Sequence, residues 1–412
     1  MSTLISKPRV DEPVAGTRES WLINPQLPAA SCVPEEGTGA YELLHRYDVG
    51  PLRQERIPRS YFKMDPIERD ARIWALRNQL GERLVILGHH YQRDEVIQFA
   101  DFRGDSFKLS REAATRTEAE FILFCGVHFM AESADILSGP NQRVILPNLE
   151  AGCSMADMAK PEDVQACWDA LATLGIDKVV PITYMNSAAS IKAFCGREGG
   201  IVCTSSNAPR VFDWAFERGE RILFFPDEHL GRNTGVAKGI SEDEMVVWDP
   251  FKPLGGNTPE ALRNAKVILW KGYCSVHARF SVEQLEAARA EFPDVHVIVH
   301  PECKLEVVEA ADSYGSTEFI IDTIRDAPDG TVWAVGTEVN LCNRLNNEFP
   351  NKHVFCLDPV ICPCSTMYRV HPAYILWTLE HLIDDNIVNV ITVDAETKRD
   401  ALVALDRMLA VP

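Results

Sequence analysis

Leu84-Val85-Ile86-Leu87-Gly88-His89-His90-Tyr91 joins a four-residue apolar run directly to a glycine and three polar aromatic side chains. A run that short, apolar at every position, fits a strand buried on both faces of a parallel sheet. The polar residues at its end then stand where α/β sheets bind ligands, outside the C-terminal ends of the strands. Upstream, Ile67, Ile73, Leu76 and Leu80 form one apolar face of a helix leading into this strand. Downstream, short apolar segments at 121–124, 144–146, 179–182, 222–225, 267–270, 297–299, 332–335 and 389–393 alternate with helical stretches. The pattern predicts an α/β fold. Residues 1–60, rich in Pro, Gly and charge without a sustained period, read as a loosely ordered extension. The stretch 233–264 interrupts the rhythm with Gly, Pro and acidic residues and reads as a long connector.

Measured from this first strand end, the polar clusters repeat. Gly-His-His-Tyr at 88–91, Thr-Tyr-Met-Asn at 183–186 and His-Pro-Glu-Cys at 300–303 each end a strand. About one βα unit later come Gly-Asp-Ser (104–106), Thr-Ser-Ser-Asn (204–207) and Gly-Ser-Thr (315–317). Each series then reaches a cysteine in a turn-like setting: Cys153, Cys274 and Cys364. His89 lies 17 residues before Ser106 and 64 before Cys153; His300 lies 17 before Thr317 and 64 before Cys364. The middle series is longer, at 21 and 90. This self-similarity predicts three repeated units whose strand ends converge on one cavity. Their expected extents are 61–150, completed by the C-terminal 366–412, then 151–270 and 271–365.

Bulk composition narrows the class. A chain of 412 residues with 46% hydrophobic and 25% charged residues suits a soluble enzyme of more than one domain. No apolar run approaches the roughly 20 residues of a membrane helix, and Lys7, Arg9, Asp11 and Glu12 break any signal-peptide pattern. A cytoplasmic enzyme without a membrane partner is expected. The net charge of −19 argues against nucleic acid as a partner. Twelve cysteines in a reducing compartment turn attention to metal binding or catalysis, although Cys125, Cys167, Cys195, Cys203 and Cys342 lie in core-like contexts.

Three cysteines far apart in sequence suit a cubane iron–sulfur cluster with one iron free of protein ligands, because thiolates hold such clusters. Structural zinc fits less well, since only Cys362-Pro363-Cys364 offers closely spaced thiols. Spacing alone leaves Cys362 as a substitute for Cys364, and Cys303 as a fourth candidate. At the strand ends, His89 and Tyr91 are suited to shuttling protons or binding carboxylate. His300 and Glu302 form an acid–base pair. Ser106, Ser205 and Thr317 precede or open helices, where hydroxyls and free N–H groups cradle carboxylate or phosphate.

Taken in order, these motifs closely resemble the quinolinate synthase family of NAD biosynthesis. The resemblance runs from about Met64 to Leu382. It includes His89-His90-Tyr91-Gln92, Gly104-Asp105-Ser106, the segment from Gly126 to Glu132, Ala151-Gly152-Cys153, Tyr184-Met185-Asn186 and Thr204-Ser205-Ser206-Asn207. Pro226-Asp227, His229-Leu230, Gly272 with Cys274 and His277, His300-Pro301-Glu302-Cys303, Gly315-Ser316-Thr317 and Cys364-Ser365-Thr366-Met367 continue it. The resemblance implies three αβα units with short parallel sheets, related by pseudo-threefold symmetry around a central active site. It implies condensation of iminoaspartate with dihydroxyacetone phosphate to quinolinate, with release of phosphate and water, on a [4Fe-4S] cluster with three Cys ligands and one open iron. It maps the ligands to Cys153, Cys274 and Cys364, the last chosen over Cys362 because it precedes Met367 by three. Substrate-contacting positions map to His89, Tyr91, Ser106, Tyr184, Asn186, Ser205, His300, Glu302 and Thr317, with His89, Tyr91, His300 and Glu302 catalytic. An aspartate oxidase or dehydrogenase and the cluster-assembly machinery are the implied functional partners. Another [4Fe-4S] hydro-lyase acting on a small carboxylate, or a non-enzymatic iron–sulfur sensor, are the competing readings. The resemblance gives no role to the first sixty residues, the 233–264 stretch, Cys362 or Cys303.

Overall fold

The computed structural model describes residue 54 and residues 56–360 and 362–411. The extension expected over residues 1–60 therefore lies almost wholly outside the described residues. The first unit runs α1 (Pro66–Leu80), β1 (Leu84–His89), α2 (Asp94–Ile97), β2 (Phe102–Gly104), α3 (Ser106–Thr115), β3 (Phe121–Cys125), α4 (His128–Leu137) and β4 (Arg143–Ile145). The second runs α5 (Pro161–Thr173), β5 (Val179–Tyr184), α6 (Ala189–Arg197), β6 (Ile201–Cys203), α7 (Ala208–Phe216), β7 (Arg221–Phe225), α8 (Glu228–Ala237), β8 (Met245–Trp248), α9 (Pro259–Asn264) and β9 (Val267–Trp270). The third runs α10 (Val282–Glu291), β10 (Val295–Val299), α11 (Leu305–Ala310), β11 (Ser313–Tyr314), α12 (Thr317–Asp326), β12 (Val332–Gly336), α13 (Val339–Glu348) and β13 (His353–Cys356). The C-terminal segment adds α14 (Pro372–Ile383), β14 (Val390–Ile391) and α15 (Ala395–Ala410).

Each unit has its own sheet, and the strand order is the same in all three: β2-β1-β3-β4, β6-β5-β7-β9 and β11-β10-β12-β13. β8 extends the second sheet beyond β9, and β14 extends the first beyond β4. Every pairing is parallel except β14 on β4, where Val390 faces Ile145. The fold is α/β with short, largely parallel sheets. β1 and β3 are buried along their full length, as expected of strands covered on both faces.

Local chemistry explains these elements. α1 starts where Pro66 follows the Asp65 cap, whose carboxylate accepts the N–H groups of Ile67 and Glu68. Ile73 and Leu80 are buried, but Ile67, expected on the same face, is 82% exposed. At 100° per residue, Ile67 lies about 120° from Ile73 and off the stripe that faces the sheet. The 233–264 stretch is not one long connector but holds regular elements. Its glycines and prolines punctuate the end of α8, the strand β8 and the helix α9. β2, β6 and β11, two or three residues each at equivalent sheet positions, are too short to show a period in the sequence.

The C-terminal segment divides its packing. α14 packs on α1 and β14 completes the first sheet, whereas α15 packs on α6 and β6 of the second unit. Gly196 permits that second contact, because a Cβ there would meet the Asp400 carbonyl oxygen at 1.9 Å. Arg407 fastens it by donating to the carbonyls of Gly196 and Gly200. The expectation that all of 366–412 completes the first unit is thus too simple. The sequence offers no period that tells which sheet a C-terminal amphipathic helix will cover.

Candidate active site

The same strand in each unit carries a pair of side chains at its C-terminal end: His89 and Tyr91 after β1, Tyr184 and Asn186 after β5, His300 and Glu302 after β10. The neighbouring short strand ends just before a hydroxyl near a helix start: Ser106 opens α3, Ser205 precedes α7, and Thr317 opens α12. The last strand of each unit's common order leads to a cysteine: β4 to Cys153, β9 to Cys274, β13 to Cys364. All twelve of these side chains line one cavity. Cys303 and Cys362 are not among its lining residues.

The three thiols sense one another, Cys153 and Cys274 each lying close enough to Cys364 for their charges to interact. Burial pushes the Cys153 thiol up to about 12 and raises Cys274 and Cys364 as well. Among the described residues, no lysine or arginine lines the cavity to lower them. Such thiols are poor nucleophiles when bare, and a soft metal must displace their protons to bind. Val127, Phe129, Met130, Met155, Met185 and Met367 supply an apolar, polarizable wall beside them. Cys274, His277 and Glu302 also bring three donor atoms within 4.8 Å of one another. There, however, the imidazole and carboxylate are engaged with each other, and the other ring nitrogen of His277 is taken by Thr337. The three cysteine sulfurs are instead met by weak donors, backbone N–H groups and, for Cys364, the Thr366 hydroxyl at 3.4 Å, which leave a thiolate's lone pairs available to a metal.

On the polar side, Tyr91 N–H donates to Nδ1 of His89 at 3.1 Å, and Glu302 N–H donates to Nδ1 of His300 at 3.3 Å. With Nδ1 accepting, each neutral ring carries its proton on Nε2. Burial, with neighbouring positive charge, depresses both imidazoles to about 3, so both are neutral donors at pH 7. Burial opposes the charge of Glu302. The adjacent His277 and His300 and hydrogen bonds from His277 and Tyr184 outweigh it and hold the carboxyl down at about 2. Tyr91 and Tyr184 remain protonated, raised by burial and by the charge of Glu302.

A buried relay joins these groups. Glu302 Oε2 meets Nδ1 of His277 at 2.8 Å, and Nε2 of His277 meets the Thr337 hydroxyl at 3.1 Å. The Thr337 hydroxyl meets the Tyr91 hydroxyl at 2.8 Å, which in turn meets Thr317 at 3.3 Å. His300 stacks on His277 with ring centroids 4.5 Å apart. Carboxylate, imidazole and hydroxyl in series are the arrangement that moves a proton in acyl-transfer enzymes. Here the hydroxyl hands on to a tyrosine that faces the cavity. Sequence reading gave His277 no role and did not single out Thr337. The available signal was positional: Thr337 follows β12 as Gly126 follows β3 and Pro226 follows β7.

Residues 71–410 match the family model described as quinolinate synthetase A protein. The chain is 60% identical over 360 residues to a quinolinate synthase of Corynebacterium glutamicum, covering 87% of this chain and 91% of that one. It is 56% identical over 355 residues to the quinolinate synthase of Acidobacterium capsulatum, covering 85% and 95%. With that of Geobacillus sp. it shares 53% over 359 residues, covering 87% and 98%. No helix among the described residues is long and apolar enough to cross a membrane.

Proposed function

The chain belongs to the quinolinate synthase family, and from that membership we infer that it makes quinolinate for de novo NAD biosynthesis. The reaction is the condensation of iminoaspartate with dihydroxyacetone phosphate, releasing phosphate and water. Cys153, Cys274 and Cys364 would hold a [4Fe-4S] cluster; bound there, it supplies an iron without a protein ligand as a Lewis acid for dehydration. The observation that carries the reading is the pairing, in one cavity, of that thiol set with a proton relay and three helix-associated hydroxyls.

The chain's own residues then divide the work. Both substrates are anionic, yet among the described residues the cavity lining offers no lysine or arginine. Their carboxylates and phosphate fall to neutral donors: the hydroxyls of Ser106, Ser205 and Thr317, the Asn186 amide, and the Nε2–H groups of His89 and His300. Such donors fix the two carbon skeletons for bond formation without neutralising Glu302. Glu302, ionised and hydrogen-bonded by Tyr184, is the base. Tyr91 is the acid at the cavity wall, and its proton is replaced through Thr337 and His277. A hydro-lyase acting on one small carboxylate would need fewer hydroxyl-headed helices, and a sensor would need no relay.

Anaerobic purification, iron counting and a quinolinate assay in the same tube test this reading. Iron-loaded protein should form quinolinate while consuming dihydroxyacetone phosphate. Iron-loaded protein that leaves dihydroxyacetone phosphate untouched overturns it.

A further inference from the structure

Six residues into the segment that begins just after the third strand of each unit, one buried side chain reaches out of its own unit. Counting from Val127, Asp227 and Glu338, the residues before α4, α8 and α13, this position is Ser133, Asn233 and Arg344. Asn233, buried in the second unit, donates its amide hydrogens to the carbonyls of Pro301 and Cys303, both at 2.8 Å. Those two carbonyls bracket Glu302 in the third unit. Arg344, buried in the third unit, donates to the carbonyls of His90 at 2.7 Å and of Gln92, and its Nε pairs with Asp94 at 2.8 Å. Those two carbonyls bracket Tyr91 in the first unit. Ser133, buried in the first unit, donates its hydroxyl to the Phe129 carbonyl of its own helix at 2.8 Å and lies only 3.7 Å from the sulfur of Met185, between Tyr184 and Asn186 of the second. The contacts close head to tail, from first unit to second, second to third and third to first. The first link is the weakest, and there Lys192 adds a hold from α6, its ammonium donating to the Ser187 carbonyl.

We propose that Asn233 and Arg344 are positioning residues for Glu302 and Tyr91, each holding the reacting loop of the next unit around the ring. A loop with free carbonyls turns easily. Two carbonyls on either side of one residue, gripped by a single planar amide or guanidinium, fix where that residue's side chain leaves the backbone. The relay from Glu302 to Tyr91 crosses between units, so its hydrogen-bond lengths depend on both grips at once. This inference rests on the proposed reaction, because it assigns Glu302 and Tyr91 as the groups being aimed.

The test uses the full-length, iron-loaded chain and double-mutant cycles read in kcat. Asn233→Ala and Arg344→Ala should each lower kcat about 10- to 100-fold, the scale of a misplacement near 1 Å, with KM and iron per chain near wild type. Asn233→Ala should be non-additive with Glu302→Asp, and Arg344→Ala with Tyr91→Phe. Each should multiply with Asn186→Ala, which lies on the loop neither residue holds. Should the alanine variants not fold, Asn233→Ser and Arg344→Lys, which keep part of each grip, should show the same coupling at smaller size. Wild-type kcat in folded variants, or simple multiplication with Glu302→Asp and Tyr91→Phe, overturns the proposal. Either result is separate from failure of the proposed function, which would show as a wild-type chain that makes no quinolinate.

Discussion

Thr337→Val isolates the relay from everything else in the site. Valine has nearly the volume of threonine, so the substitution removes a hydroxyl without opening a cavity or crowding β12. The hydroxyl lost is the link between Tyr91 at 2.8 Å and His277 at 3.1 Å. Tyr91 keeps Thr317 at 3.3 Å, so the group left unpaired is Nε2 of His277, on a side chain that is 1% exposed. Leaving one buried polar atom unsatisfied costs about 1–3 kcal/mol of stability. Kinetically, the break separates Tyr91 from its proton source, and loss of a positioned acid–base contribution lowers kcat by about 10²–10⁴-fold. KM should stay near wild type, because Thr337 is not among the residues that line the cavity. The assay is quinolinate formation at saturating substrates under anaerobic conditions, normalised to iron per chain. Thr337→Ser, which keeps the oxygen, should recover most of the rate. If the valine variant turns over at the wild-type rate, the proton on Tyr91 does not travel through His277.

Three further outcomes are expected. Cys364→Ala should abolish the brown absorbance and the iron, whereas Cys362→Ala should keep both, since Cys362 does not line the cavity; equal loss in both variants would reassign the ligand. His89 and His300 titrate near 3 in the fold against an ordinary 6.5, so the unfolded chain takes up their protons first. The stability they contribute is complete above pH 6.5 and is lost as pH falls toward 3, at up to ~1.4 kcal/mol per pH unit for each ring. Glu302, depressed to about 2, adds a loss only below its ordinary value near 4.5. Urea midpoints should fall between pH 7 and 5 and fall less in His89→Gln; a flat profile would contradict the burial argument. Gly272→Ala would bring a Cβ to 2.2 Å from the Pro226 carbonyl oxygen and must displace the loop carrying Cys274. Iron per chain should drop with secondary structure intact by circular dichroism, and full iron loading would show that the loop tolerates the shift.

The residues that announce themselves in the sequence are those whose chemistry is local. The strand 84–87 followed by His89 and Tyr91 is visible because an apolar run stops abruptly at polar groups, and the same break recurs before Tyr184 and His300. Cys153 and Cys364 become visible through equal spacing from their strand ends, and Cys274 through its place in the same order of clusters, not through any motif around each. Thr337 and Asn233 carry no such mark. A threonine after a strand and an asparagine inside a helix are ordinary in composition, and what gives them meaning is a contact 60 to 246 residues away in the chain. The same limit hid the division of the C-terminal segment, because α15 chooses the second unit through a glycine in α6.

In the proposed reaction, the threefold frame bears on which residues bind and which exchange protons. A position occupied alike in all three units can hold something at the shared centre, and this describes the cysteines and the hydroxyls of Ser106, Ser205 and Thr317. Three like positions cannot by themselves supply both an acid and a base. That asymmetry comes from the positions that differ: His89 with Tyr91, Tyr184 with Asn186, and His300 with Glu302. The residues before the helices that follow the third strands differ in the same way. Val127 is apolar, whereas Glu338, buried, accepts the backbone N–H of Cys364 at 3.1 Å. Asp227, also buried, faces the backbone N–H of Cys274. Only the third unit has a hydroxyl, Thr337, where the others have Gly126 and Pro226. The relay can therefore form at one junction alone, between the third unit and the first, and that junction is where Glu302 and Tyr91 stand.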